Sequence, residues 1–233
     1  MLQSIRNRVK AEYLEQFGLE LEGHFVLNTS ISVLDLGGQD GVVSDFILKK
    51  YPESKVTLVD VQSNLDKNVK DDRKTLVCGS IFDLDELVGD TKYDLILFNW
   101  QMATVTADSF YSTMLAQEHF LGVLRGHLTD NGAISMLENF YPSRYFKRFG
   151  SLFSYLITRC FKTRRQLLNA NTQSDGKCCR LCLLAPSMLQ FYVDRNMMYI
   201  YSVKTLNFDK HHPLRKLFLR LKHPQTKNIW IHK

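Results

Sequence analysis

Residues 32–46 read SVLDLGGQDGVVSDF: a short apolar run, a glycine-rich turn, and a segment with helical apolar spacing at Val42, Phe46 and Ile47. A buried strand that turns tightly on glycine into a helix is an opening unit of α/β architecture, because both faces of such a strand must be covered. The rhythm then repeats. Pro52 stops the helix, KVTLVDV (55–61) is short and β-branched, and TLVCGS (75–80), the acidic turn FDLDELVGD (82–90) and YDLILFNW (93–100) follow. A helix over roughly Ser109 to Leu128, a TDNG turn (129–132) and the strand AISMLE (133–138) complete five strands by Glu138. Short buried strands alternating with helices predict a mostly parallel, doubly wound sheet whose right-handed crossovers put helices on both faces.

Both flanks carry their own patterns. The first 30 residues read as a helix from about Gln3 to Phe17, a turn at Gly18 and a connector. Residues 141–165 put apolar side chains on one helical face and Arg144, Lys147, Arg148, Arg159 and Lys162 on the other. A polar linker, NANTQSDGK, is followed by a helix near Ser187 to Arg195, a strand MYIYSVKTL, a basic segment and a terminal strand NIWIHK. The expected units are therefore an N-terminal helical segment (1–30), a ligand-binding core (31–138), a basic amphipathic helical insert (139–185) and a closing helix with strands (186–233).

Composition excludes some classes. With 45% hydrophobic and 23% charged residues, the 233-residue chain is globular and not disordered. A net charge of +6 favours anionic partners: phosphorylated small molecules, lipid headgroups or nucleic acid. No continuous apolar stretch reaches the ~20 residues a spanning helix needs, and the N-terminus does not read as a signal peptide. Five cysteines without framework spacing point to reduced thiols in a cytoplasmic setting. KCCRLC holds a single C-x-x-C (Cys179, Cys182) beside Cys178; with no second pair, and His211 and His212 far along the chain, no metal centre is expected.

The glycines refine the reading. No register gives G-x-G-x-x-G, which argues against a nicotinamide dinucleotide. The better fit is Asp-x-Gly-x-(Gly)-x-Gly, with Asp35, Gly37 and Gly41 in place and Gln39 where the middle glycine would stand. Asp60 ends the second strand, where a carboxylate can accept both hydroxyls of a ribose, worth roughly 1.5–3 kcal/mol. The third strand ends at Ser80, Ile81 and Asp83, the fourth at Asn99.

Taken together, VLDLGGQDG, VTLVDV, VCGSIFD and YDLILFNW resemble, in order and spacing, the first four blocks of the class I S-adenosylmethionine-dependent methyltransferases. The resemblance covers about residues 31–138 and extends loosely to the end. It implies a seven-stranded, mostly parallel Rossmann-like sheet with a helical cap inserted after strand five. It also implies S-adenosyl-L-methionine as cofactor. By the same resemblance Gly37, Gly38, Gln39 and Gly41 wrap the methionine moiety, with Asp35 holding the loop or meeting the ammonium group through water. Asp60 with Val61 holds the ribose, Ser80 and Ile81 flank the adenine, and Asn99 lies near the donor's amino-acid portion. The sequence departs from the family at Gln39 and at Ser80, where many members carry aspartate, which keeps open a second reading as a non-catalytic cofactor-binding subunit.

Methyl transfer needs alignment above all, and a base only for an acceptor that must lose a proton. Glu138, ending strand five, and His119, in the preceding helix, are the base candidates. The segment after strand four reads NWQM and not NPPY, against methylation of DNA bases or glutamine. The expected acceptor is a small molecule, or a glycan- or lipid-linked one, methylated on oxygen or nitrogen. The basic face of 144–165 offers a membrane-surface contact. An RNA acceptor is the weaker option, because no RNA-binding motif accompanies that face.

Overall fold

The computed structural model describes residues 2–27, 29–66, 70–140, 186–205 and 225–233. Its strands are β1 (Ser32–Leu36), β2 (Lys55–Asp60), β3 (Lys74–Cys78), β4 (Tyr93–Phe98), β5 (Leu128–Phe140), β6 (Tyr199–Thr205) and β7 (Gln225–His232). Its helices are α1 (Leu2–His24), α2 (Val42–Lys50), α3 (Gln62–Leu65), α4 (Leu84–Val88), α5 (Phe110–Gly126) and α6 (Pro186–Arg195). Among the described residues seven strands form one sheet in the order β3-β2-β1-β4-β5-β7-β6. β1 to β5 pair in parallel, and β7 runs antiparallel to both neighbours. The mostly parallel sheet predicted from the alternating pattern is thus present, closed by an antiparallel pair. Its strand order reverses direction between β1 and β4, the position at which open α/β sheets form a ligand crevice.

Two apolar layers cover the sheet. On one face Leu36, Phe98, Ile134 and Met136 pack with Phe120, Leu121 and Leu124 of α5 and Leu189 and Tyr192 of α6. On the other, Val33, Leu58, Leu97, Leu137 and Trp230 pack with Tyr13, Phe17 and Leu21 of α1 and Ile47 and Leu48 of α2.

Three local expectations are corrected. The helix expected to end near Phe17 runs on to His24, straight through Gly18. A Cβ at Gly18 would stand 2.8 Å from Phe46 Cζ, so this glycine lets α1 close on α2 and makes no turn. The acidic turn is helical: a 3₁₀ turn at Ile81–Asp83 leads into α4, which stops at Gly89 with φ +57°. Finally, TDNG lies within β5 and not ahead of it. Tyr93 pairs with Leu128 and Leu95 with Ala133, so residues 129–132 bulge from the ladder, and Thr129 Oγ1 donates to Asp94 Oδ1 at 3.0 Å.

β5 extends two residues past Glu138, into the expected insert. The basic segment 144–165, the polar linker, Cys178, Cys179, Cys182, His211 and His212 lie outside the described residues. No helix among the described residues is long and apolar enough to cross a membrane.

Candidate functional site

The carboxyl ends of β1, β2 and β4 meet around the glycine turn. Gly37, at φ +66°, leaves β1 and donates its N–H to Val59 O on β2 at 2.8 Å. Gly41, at φ +70°, closes the turn by donating to Gly38 O at 2.9 Å, and α2 begins at the next residue. Both conformations suit glycine because no Cβ meets the following carbonyl. Side chains also stand close. A Cβ on Gly37 would stand 2.2 Å from Gln101 Nε2, and one on Gly38 would stand 2.5 Å from Asp35 Oδ2. Asp35 and Gln101 therefore wall the turn.

Asp35 is buried and accepts a 2.5 Å hydrogen bond from Ser44 Oγ on the first turn of α2. Burial pushes its carboxyl up to about 6, against the pull of that hydrogen bond, and the charge of Asp60 adds to the rise. Its hydrogen bond to Ser44 ties the end of β1 to the start of α2.

Asp60 carries the central contact. Its Oδ2 accepts the Gln39 N–H at 2.8 Å; its Oδ1 accepts the Val61 N–H at 2.7 Å and Asn64 Nδ2 at 3.0 Å. The carboxylate at the end of β2 thereby holds the middle of the turn that follows β1. Gln39 has φ +54° and an exposed side chain, so it occupies the left-handed region that the missing glycine would take without strain. Gln39→Gly is therefore expected to stabilise the fold by about 0.5–1 kcal/mol. This is the difference between about 1–2 kcal/mol of relieved strain and about 0.4–1 kcal/mol of added unfolded-state entropy. Chemical denaturation measures it; a loss of stability would show that the glutamine side chain itself supports the turn.

The rim of the crevice is apolar. Val61 is 42% exposed after β2 and Phe82 is 60% exposed after β3. Ser80 Oγ accepts the Phe82 N–H at 3.2 Å and caps the 3₁₀ turn, Ile81 packs against the core, and Asp83 is exposed. At the end of β4, Asn99 Oδ1 accepts the Leu137 N–H at 3.0 Å and Asn99 Nδ2 donates to the Tyr13 hydroxyl at 3.2 Å. Trp100 follows at φ +54°, 42% exposed, donating its N–H to Leu137 O at 2.6 Å. A bulky aromatic in the left-handed region is strained, and strain of this kind gathers at functional sites.

Hydrogen bonds and close approaches thus join Asp35, Gly37, Gly38, Gln39, Gly41, Asp60 and Val61 into one assembly. Ser80, Ile81 and Asn99 stand at the ends of the flanking strands. The two base candidates part company. Glu138 is 1% exposed and, by strand alternation, shares the face of Ile134 and Met136, opposite Asn99 and Tyr13. His119 is not brought to the strand ends at all. It lines a surface cleft with Gly122 of α5, Arg195 at the end of α6 and Asn196 just after it, because helical spacing alone does not say which side of a helix meets the sheet. Ser44, Gln101 and Tyr13 are contacts that sequence reasoning missed. Only Gln101 carried a signal, its place two residues after Asn99.

No protein-family model matches the chain. A curated relative, the malonyl-[acyl-carrier protein] O-methyltransferase of Priestia megaterium (strain DSM 319 / IMG 1521), is 36% identical over 76 residues, 31% of this chain and 27% of that protein. The chain thus aligns with little more than a quarter of that relative's length. Among solved structures, it resembles a cyclopropane-fatty-acyl-phospholipid synthase-like protein from Lactobacillus casei ATCC 334 with a TM-score of 0.61 at 14% identity, covering 99% of this chain and 92% of that one. An S-adenosylmethionine-dependent methyltransferase from Clostridium acetobutylicum ATCC 824 superposes with a TM-score of 0.58 at 13% identity, covering 95% and 91%. Four further structures are longer, this chain spanning 52–57% of each. The chain has the Rossmann-like fold that these methyltransferase structures share.

Proposed function

We propose that this chain is an S-adenosylmethionine-dependent methyltransferase that acts on an oxygen or nitrogen of a small-molecule, glycan- or lipid-linked acceptor. The observation that carries the reading is the Asp60–Gln39 tie, which locks a glycine turn against a strand-end carboxylate beneath an apolar rim. The residues fit the donor. Asp60 accepts three hydrogen bonds, and a carboxylate has about four acceptor sites, leaving room for a ribose hydroxyl. Val61, Ile81 and Phe82 offer apolar surface for an adenine, and the turn's amides stand at the start of α2 for the anionic end of the methionine moiety.

When bound, the donor supplies a methyl group on a sulfonium centre. The chain's part is to hold that centre in line with the acceptor, and positioning alone can contribute roughly 7–11 kcal/mol. Of the two base candidates, Glu138 is the one near the strand ends, but its buried side chain lies on the face of β5 opposite Asn99, so no base is assigned. The basic residues of 144–165 are proposed to bring the chain to an anionic membrane surface bearing the acceptor.

Isothermal calorimetry with S-adenosylmethionine and S-adenosylhomocysteine tests the reading. Both are expected to bind, with methyl transfer to at least one member of an alcohol, phenol and amine panel. No binding of either at high micromolar concentration overturns it. Binding without turnover would instead favour a non-catalytic subunit, and salt-sensitive affinity for RNA an RNA methyltransferase.

A further inference from the structure

Tyr13 belongs to α1, outside the blocks that resemble the family, and is 86 residues from Asn99 in sequence, yet its phenol meets that side chain. The geometry leaves the amide one orientation. The Leu137 N–H, which can only donate, is 3.0 Å from Asn99 Oδ1, so the oxygen of the amide faces β5. Nδ2 then turns to the Tyr13 hydroxyl, 3.2 Å away, which accepts from it and lies 3.4 Å from Oδ1, to which it can donate. Tyr13 is 4% exposed and burial drives its phenol pKa far up, so the hydroxyl stays neutral and keeps its proton.

Further along α1 a second set of buried polar contacts repeats this anchoring. Asn228 Nδ2 and Ser202 Oγ donate to Glu20 Oε2 at 3.4 and 3.2 Å, and Lys204 Nζ lies 3.0 Å from Glu20 Oε1. Packing of Phe17 and Leu21 is enough to seat an apolar helix on a sheet. Polar groups buried beside them are costly unless paired, and the pairing sets where the helix sits along its axis. The pairing at Tyr13 has its far end in the crevice.

We propose that Tyr13 is a positioning residue for the methyl donor: its hydroxyl fixes the Asn99 amide at the end of β4, making α1 part of the donor-binding apparatus. The assignment rests on the methyltransferase reading above. The test is calorimetric titration of S-adenosylhomocysteine into the wild type, Tyr13→Phe, Asn99→Ala and the double variant, with a melting curve for each. Tyr13→Phe keeps the ring and its packing, so it is expected to fold, with a melting temperature lower by no more than about 5 °C. Its affinity should fall about 3- to 10-fold, the share of one hydrogen bond. Asn99→Ala should lose at least as much, and the double variant no more than Asn99→Ala alone, because the phenol acts only through the amide.

Wild-type affinity in Tyr13→Phe, or additive losses in the double variant, would overturn the assignment while leaving the function in place. A Tyr13→Phe protein that does not fold would overturn it too, since the hydroxyl would then be a requirement of the fold. No binding by the wild type would remove the functional reading itself, and this assignment with it.

Discussion

Asp60→Ala is expected to weaken S-adenosylhomocysteine binding by about 1.5–3 kcal/mol, roughly 10- to 150-fold in dissociation constant. Two losses combine. The charged acceptor for the ribose disappears, and so does the anchor of the turn, because Asp60 Oδ2 takes the Gln39 N–H and Oδ1 takes the Val61 N–H. Asp60→Asn separates the two. It preserves shape, but its amide group can offer an oxygen to only one side. The other side then sets an N–H donor against a backbone N–H or against Asn64 Nδ2. The asparagine variant is therefore expected to lie closer to alanine than to the wild type. An unchanged dissociation constant in Asp60→Ala would refute the ribose placement.

How far this site could be read without coordinates depended on how local each contact is. The strands declare themselves as short apolar runs bounded by glycine or proline, and Asp35, Gly37 and Gly41 have a spacing that only a tight turn explains. Contacts between distant segments left no such trace. A glycine that admits Phe46 is written in the same letter as one that ends a helix, so Gly18 read as a turn. Gln101 matters because Gly37 has no side chain, and Tyr13 because α1 lies on the face that carries Asn99; neither relation follows from periodicity. Gln39 shows the opposite case. The departure from glycine was visible in the sequence, but only the backbone angle shows that the turn kept its conformation and put strain on a glutamine.

Trp230→Ala is expected to lower the unfolding free energy by about 3–5 kcal/mol, the range for removing a large buried aromatic. Trp230 is fully buried in β7, opposite Ser135 of β5 and Ser202 of β6. Its ring is stacked between Phe17 at 5.8 Å and His24 at 4.2 Å, so alanine would open a void on the α1 face of the sheet. Trp230→Phe should cost much less than alanine, because it keeps an aromatic there and removes an indole N–H that has no hydrogen-bond partner among the described residues. The deficit should also depend on pH. Burial, and then the neighbouring His232, hold the pKa of His24 down to about 4. Between its ordinary value of 6.5 and about 4, the unfolded chain takes up a proton that the native chain refuses, so the wild type loses stability as pH falls through that window. With Trp230 gone His24 is more hydrated and its pKa moves back up, so the gap between alanine variant and wild type should narrow from about pH 7.5 to about pH 5. Urea unfolding at the two pH values checks both parts. A deficit below about 1.5 kcal/mol would mean that α1 closes over the void, and a gap that widens in acid would mean that His24 is kept neutral by something other than its stack on Trp230.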